Sequence, residues 1–376
     1  MSPARFAVKI IFFLNGFVHA NYFSRLPRIQ DQFQVDNGMI GLVLLSSSVG
    51  ALFAMPFTGW LIIRNGSRKI TLVGAFTYCA LIPLIPWAPG LSYLIIVFLL
   101  LGISSGMLDV AMNSQAVMVE QYHQKPIMTS FHALFSVGMM LGAGAGSVFS
   151  TINVSLQTHF TSIALISLVI VFIARHYLIR DKPVEKQEGP AFRLPNAAMV
   201  SIGIIAFCCM LGEGAMADWS TNFMEKITLS SPALAPLGLS AFALAMTIGR
   251  LLGDSVRVRM GDRRLMIISG LISTSGLLLL ITWPTPLMAL VGFFVIGIGL
   301  SSIVPIAYSI AGNSRDLPPG VGLAMVTTVG YSGFLFGPPI IGFLADVSSL
   351  RWALTLVLVL FVIMTFLSMR YQSNKS

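Results

Sequence analysis

Charge is what this sequence most lacks. Of its 376 residues only 10% are Asp, Glu, Lys or Arg, while 56% are hydrophobic. Soluble domains carry about 25% charge, and a chain of this length could not cover its surface with so little. A soluble enzyme, a disordered chain and a secreted disulfide scaffold are excluded on that ground. Cysteine is scarce too: Cys79, Cys208 and Cys209 are the three, all inside apolar runs and none in a CxxC pair. They read as small apolar packers, so no disulfide framework and no metal site is expected. No GxxxxGK[ST] stretch occurs, so the chain has no phosphate-binding loop and cannot itself hydrolyse ATP. No cofactor is expected. Arg5 and Lys9 precede an apolar stretch, as in a signal peptide. No small-residue cleavage site follows, and the stretch is read as a retained first membrane helix.

What the sequence has is long apolar runs. A membrane-crossing helix needs about 20 mostly apolar residues. Cutting at Gly, Pro and charge clusters gives twelve such spans, at 6–26, 38–63, 70–89, 91–118, 126–150, 159–178, 197–222, 236–256, 265–283, 287–310, 320–344 and 351–370. The fold class is therefore an all-α integral membrane protein with 12 transmembrane helices. If the N-terminus is cytoplasmic, 18 of the 23 Lys and Arg fall on that side. Arg25, Arg28, Lys226 and Arg351 fall on the other side, and Arg250 lies within a span. That is a strong positive-inside asymmetry. It accounts for the net charge of +9 without nucleic acid, makes the lipid bilayer the partner, and puts both termini in the cytoplasm.

The halves of the chain repeat. Gly66, Arg68 and Lys69 follow span 2, and Gly261, Arg263 and Arg264 follow span 8, each pair 195 residues apart. Arg64 and Arg259, and Gly142 and Gly337, share that offset of 195. Two pseudo-symmetric six-helix bundles are implied, at 1–178 and 197–376, joined by a charged cytoplasmic linker at 179–196. Such repeats are common in secondary transporters.

An ionisable group inside the bilayer is costly and so a candidate functional site. Asp109 in span 4 shares a helix face with Ser105 and Asn113. It reads as a proton-binding carboxylate, the alternative being an acid neutralised by a structural partner. His132 in span 5 lies about 10 residues past the hairpin turn near His123, and Asp109 about 13 before it, so the two are at similar depth. An Asp–His pair could pass a proton; a packed histidine is the alternative. Glu213 and Asp218 in span 7 point about 140° apart, with Glu213 expected to face a cavity. Asn21 or His19 in span 1, with Asn113, Gln115, Trp219, Tyr308, Thr327 and Tyr331, are the polar candidates for solute contact. Each competes with a role in helix–helix packing. His123, His159 and His176 carry no signal.

The chain resembles the major facilitator superfamily in its twelve spans, its long middle loop, and Gly66-Ser67-Arg68-Lys69 with Gly261-Asp262-Arg263-Arg264. Within it, Asp109 to Asn113, Phe131 to Gly138, Gly212 to Gly214 with Asp218-Trp219, and Thr327 to Tyr331 with Gly337-Pro338-Pro339 resemble the YbjJ-like branch related to the fucose permeases. The resemblance implies a bacterial inner-membrane symporter that rocks its two bundles about a midplane site. Proton coupling would run through Asp109, with His132 and Glu213. It also implies that spans 1 and 7 meet at an outer gate, where Arg25 is expected to pair with Asp218. Ile63 and Val258 stand where the superfamily's loop aspartate is expected. Asp254, one turn before Val258, is given that latch role, the alternative being a membrane-edge ion pair; Arg250, Arg64 and Arg68 are further gating candidates. Phe23 replaces the span 1 acid of the fucose permeases. The function implied is proton-coupled movement of a small, sugar-like solute by a monomer. The alternatives are proton-driven efflux of amphipathic compounds and a non-transporting receptor or scaffold.

Overall fold

A computed structural model describes residues 3–124, 127–181, 197–312 and 321–371. Six crossings come from the first half: α1 (Pro3–Phe23), α3 (Asn37–Asn65), α4 (Ser67–Leu81), α5 (Leu91–His123), α6 (Met128–Thr151) and α7 (Leu156–Ala174). Between α1 and α3 lies a short helix, α2 (Leu26–Phe33). The second half supplies α8 (Ala197–Lys226), α9 (Leu237–Met260), α10 (Asp262–Thr282), a crossing broken into α11 (Pro286–Leu300) and α12 (Ile303–Gly312), α13 (Val321–Val347), and one broken into α14 (Leu350–Ala353) and α15 (Thr355–Arg370). Among the described residues ten helical segments are long and apolar enough to cross a membrane. The other two crossings are α4, which runs into a 3-10 turn at Ile82–Leu84, and α9, whose last turns carry charge. The twelve expected spans are all present. Most of the linker lies outside the described residues.

Local chemistry sets the helix ends. Asp36, Ser155 and Thr285 cap α3, α7 and α11 by accepting the backbone N–H of Met39 (2.7 Å), Thr158 (3.2 Å) and Met288 (3.4 Å). The first span ends at Phe23, earlier than expected, and α2 starts anew with Pro27 in its first turn. The span 10 break falls at Ser301-Ser302, because Pro305 has no N–H to give the carbonyl of Ser301.

With twelve crossings, an even number, the first and last described residues, Pro3 and Tyr371, fall at one end of the molecule, called the terminal end below; the other is the distal end. In the first bundle α1 packs along α6 and α3 along α5; in the second α8 packs along α13 and α9 along α11. Glycine makes these approaches possible. A side chain at Gly138 would overlap the Phe13 carbonyl across α1 and α6. One at Gly333 would sit 2.7 Å from the Phe207 carbonyl across α13 and α8. Gly138 and Gly333 are themselves one repeat apart. The repeated loop glycines Gly66 and Gly261 share a left-handed backbone, with φ of 81° and 77°. Beyond them Arg68 donates to the Arg175 carbonyl at the end of α7 (2.6 Å), and Arg263 to the Met369 carbonyl at the end of α15 (2.6 Å). The same cation thus ties the same two helices in each half.

The bundles meet through α3 with α13 and α6 with α9. At the distal end Asp346 of α13 accepts the backbone N–H of Asn37 (3.0 Å) and of Gly38 (2.6 Å), the opening amides of α3. A carboxylate there satisfies orphan N–H groups and the positive end of the helix dipole. A Cβ on Gly38 would meet that carboxylate at 2.6 Å and the Phe343 ring at 2.7 Å, so a larger residue there would displace them. Arg28 of α2 pairs with Glu225 of α8, Gln30 bonds Asn222, and Lys226 donates to Gln30 (2.9 Å). Ser48 donates to the Phe334 carbonyl (3.1 Å) and Ser240 to that of Met140 (3.1 Å). Nearer the terminal end than these, Arg250 joins Ser136 across the interface (2.8 Å). The distal half of the interface is closed. Asp346→Ala removes a cap worth about 1 kcal/mol and so shifts the closed-to-open ratio about fivefold towards open. Spin-label distances between Thr151 and Pro232 across the distal end then broaden to longer values; an unchanged distribution removes Asp346 from the closure.

Candidate functional site

Two cavities lie along the bundle interface. The central one, about 240 Å³, is bounded by α1, α3, α5 and α6 on one side and α8 and α13 on the other. Its walls are mainly apolar, with Phe23, Leu44, Met55, Phe135, Met139, Phe334 and Leu335. Its polar groups are His19, Ser47, Ser48, Ser105, Glu213, Asp218 and Tyr331. A second cavity, about 260 Å³, lies towards the terminal end and is lined by His132, Arg250, Arg257, Ser301, Ser302 and Tyr308 among others. Between them stands one ion pair. Arg250 of α9 donates to Glu213 of α8 (3.0 Å) and to Ser136 of α6 (2.8 Å). Glu213 faces the central cavity and Arg250 the second one. Their side chains are only 18% and 16% exposed, so each charge depends on the other.

The remaining acids are not paired in this way. Asp218 is buried on the central cavity, and among the described residues it makes no hydrogen bond and no ion pair. Asp109 sits one turn from Ser105, lines neither cavity, and among the described residues accepts only from Asn113 (3.3 Å). Its charge reaches Tyr331 and Tyr308 across the interface. Opposite Asp218, the His19 Nδ1 is 3.1 Å from the Tyr22 hydroxyl and 3.5 Å from that of Tyr78, which fixes the ring against the cavity wall.

Known proteins share this architecture. Residues 9–230 and 202–375 each match the family model of the Major Facilitator Superfamily. The chain belongs to the Major Facilitator Superfamily. An uncharacterized MFS-type transporter of Yersinia pestis is 34% identical over 347 residues, covering 92% of this chain and 90% of that one. Membrane protein MosC of Rhizobium meliloti is 30% identical over 374 residues, covering 98% and 90%. Among solved structures, the nucleoside transporter NupG superposes with a TM-score of 0.78 at 13% identity, over 99% of this chain and 100% of that one. A bacterial homolog of the human lysosomal transporter Spinster, inward-facing and occupied, gives 0.72 at 13%, over 98% and 97%. These two likenesses carry the fold alone. This superfamily member is a multi-pass membrane transporter and not an enzyme.

The transporter brings together only some of the residues singled out by sequence. His19, Glu213, Asp218 and Tyr331 meet at the central cavity, and His132, Arg250 and Tyr308 at the second. Asp109 and His132 make no contact within hydrogen-bonding or ion-pair distance. Although consecutive, α5 and α6 scarcely touch, since α5 packs on α3 and α6 on α1; the His132 ring instead packs edge-on against Phe12 at 5.2 Å. The expected pair of Arg25 with Asp218 is absent although the distal end is closed. Arg25 turns into its own bundle, donating to the Val154 carbonyl (3.0 Å) beside His159. The cation–acid bridge between these regions is made by Arg28, three residues past Arg25, and Glu225, seven past Asp218.

Asn21 does not face the cavity: it is fully buried and bonded to His159 (2.8 Å), a histidine that sequence had dismissed. Gln115 is a structural clamp, bonding Ser67 (2.7 Å) and both backbone groups of Ile179 (2.9 and 3.0 Å). Trp219 is fully buried in the core. Asn113 and Thr327 line neither of the two cavities. Arg64 stacks on Trp60 at 4.2 Å and Arg68 ties α4 to α7, so neither bridges the bundles. The side chain of Asp254 lies outside the described residues. Sequence missed Ser47 and Ser48, whose small hydroxyls look like packing residues, and Asp346, which reads as an ordinary helix-end acid.

A double-mutant cycle tests the partition. Arg250→Met alone strands Glu213 and lowers thermal stability more than Arg250→Met with Glu213→Leu, with a coupling energy of about 1–3 kcal/mol. Additive effects on melting in detergent remove the pair as a coupled unit.

Proposed function

We propose that this transporter is proton-coupled and works by alternating access. A bundle of residues 1–178 rocks against one of residues 197–376 about the central cavity, with 179–196 joining them. It acts as a monomer in a bacterial inner membrane, with the terminal end cytoplasmic. The positive-inside asymmetry of the sequence supports that orientation, and on it the closed distal end makes this an inward-facing arrangement.

One observation carries the proton coupling. Among the described residues Asp109 and Asp218, one in each bundle, stand in the membrane-spanning region without an ion pair, whereas Glu213 is matched by Arg250. A proton removes the charge of a bare carboxylate, and moving a neutral group past an apolar barrier is far cheaper than moving an ion. Protonation therefore gives the two conformations different energies, which a coupled carrier requires. His132, lacking contact with Asp109, is better read as lining the terminal-end path beside Arg250.

The cavity wall bears on the solute. A sugar-like solute is what the fucose permease resemblance suggests, but a sugar needs many hydrogen-bonding partners. The predominance of Phe, Leu and Met around the central cavity favours the second reading, an amphipathic compound. The alternative of a non-transporting receptor is separated by flux. In proteoliposomes holding a pH-sensitive dye, a panel of sugars and amphipathic amines is expected to evoke lumenal pH changes with the wild type. Asp109→Asn reduces them at least tenfold (about 1.4 kcal/mol or more in the coupled step). Proton movement that survives Asp109→Asn unaltered rules out coupling through this residue; no solute flux at all favours the receptor.

A further inference from the structure

We infer that the central cavity binds a small organic cation, with Asp218 as its counter-charge. This rests on the transport reading and names its solute class. Asp218 is 8% exposed, lines the cavity, and among the described residues has neither a hydrogen bond nor an ion pair. Every other charged or titratable group near it is engaged or carries no compensating charge. On its own helix, Glu213 is already matched by Arg250 of α9. From α1, Tyr22 lies within the electrostatic reach of Asp218, and His19 is held through Nδ1 by the Tyr22 hydroxyl without pairing to the acid. Arg25 is committed to Val154. From α13 comes Tyr331, and from α3 and α6 only Ser47, Ser48 and apolar side chains. Counting Arg250 against Glu213, the cavity is left with an acid and no cation.

The walls fit the rest of such a ligand. Phe23, Phe334 and Tyr331 line the cavity with aromatic rings, a side-chain type that attracts an ammonium, and Leu44 and Leu335 add apolar area for its body. A volume of about 240 Å³ is below the usual drug-sized pocket of roughly 300–1,000 Å³, so the cation is small. One carboxylate cannot hold a proton and a cation together. Binding the cation to protonated Asp218 therefore releases the proton, and lowering the pH weakens the cation. That linkage makes the coupling at this site an exchange, in place of the symport implied by the resemblance.

The test uses the purified full-length transporter in detergent and benzyltrimethylammonium, whose charge does not depend on pH. Calorimetric titration is expected to show binding that weakens as the pH is lowered and that releases protons into a weakly buffered solution. Asp218→Asn should lose at least tenfold in affinity and all of the pH dependence, while benzoate and benzyl alcohol bind weakly to both proteins. Binding that is equal for benzyl alcohol, unaffected by Asp218→Asn, or absent overturns the inference. Should Asp218→Asn fail to fold, the wild type decides: pH-independent binding without proton release overturns it, and linked release supports it. Absent cation binding alongside intact solute-driven proton flux defeats this inference alone. Linked cation binding with no flux defeats the transport reading.

Discussion

A carboxylate at the centre of a bilayer costs about 3 kcal/mol even by the mildest scale unless it is paired, solvated or neutralised. Much of the interior of this protein can be read as an answer to that constraint. Glu213 is answered by Arg250, which reaches across to Ser136 and so ties the two bundles together between the cavities. Asp346, at the membrane edge, is answered by the opening amides of α3, which makes one acid both a helix cap and a bridge between bundles. Among the described residues Asp109 and Asp218 have no such partner; Asp218 borders the central cavity, and Asp109 lies one turn along α5 from Ser105, which does.

The internal repeat provides the frame in which these few charges act. Paired glycines one repeat apart let α1 and α6, and α8 and α13, approach closely, and the loop arginines Arg68 and Arg263 close each bundle on itself. Each half is thereby held together independently of the other. The halves pack through α3 with α13 and α6 with α9, and the polar contacts that join them are weighted towards the distal end. An interface built this way can open at one end without disturbing either bundle, which is the mechanical requirement of a rocking carrier.

Much of the fold was legible in the sequence because its signals are one-dimensional. Span length, loop charge and the repeat offset each depend only on position along the chain. The sites were legible in part, because depth follows from residue count whereas facing does not. Asp109 and His132 are at similar depth by counting, yet α1 and α3 draw their helices apart. Asn21, Gln115 and Trp219 looked like cavity residues and are interior ones, since a buried polar group serves either purpose. The distal bridge was foreseen in kind and missed in place, because the break after Phe23 moves the cation from Arg25 to Arg28 on α2. His159 lost its signal by being assigned to a loop when it lies inside α7.

On the proposed coupling, Asp109 and Asp218 take up and release protons within the membrane. Infrared difference spectroscopy of the carboxylic C=O stretch, recorded as pH is stepped, reads this directly. Two titrating carboxyl bands are expected in the wild type, one lost in Asp109→Asn and the other in Asp218→Asn. Bands that both variants leave unchanged, or no titrating carboxyl band at all, would contradict it.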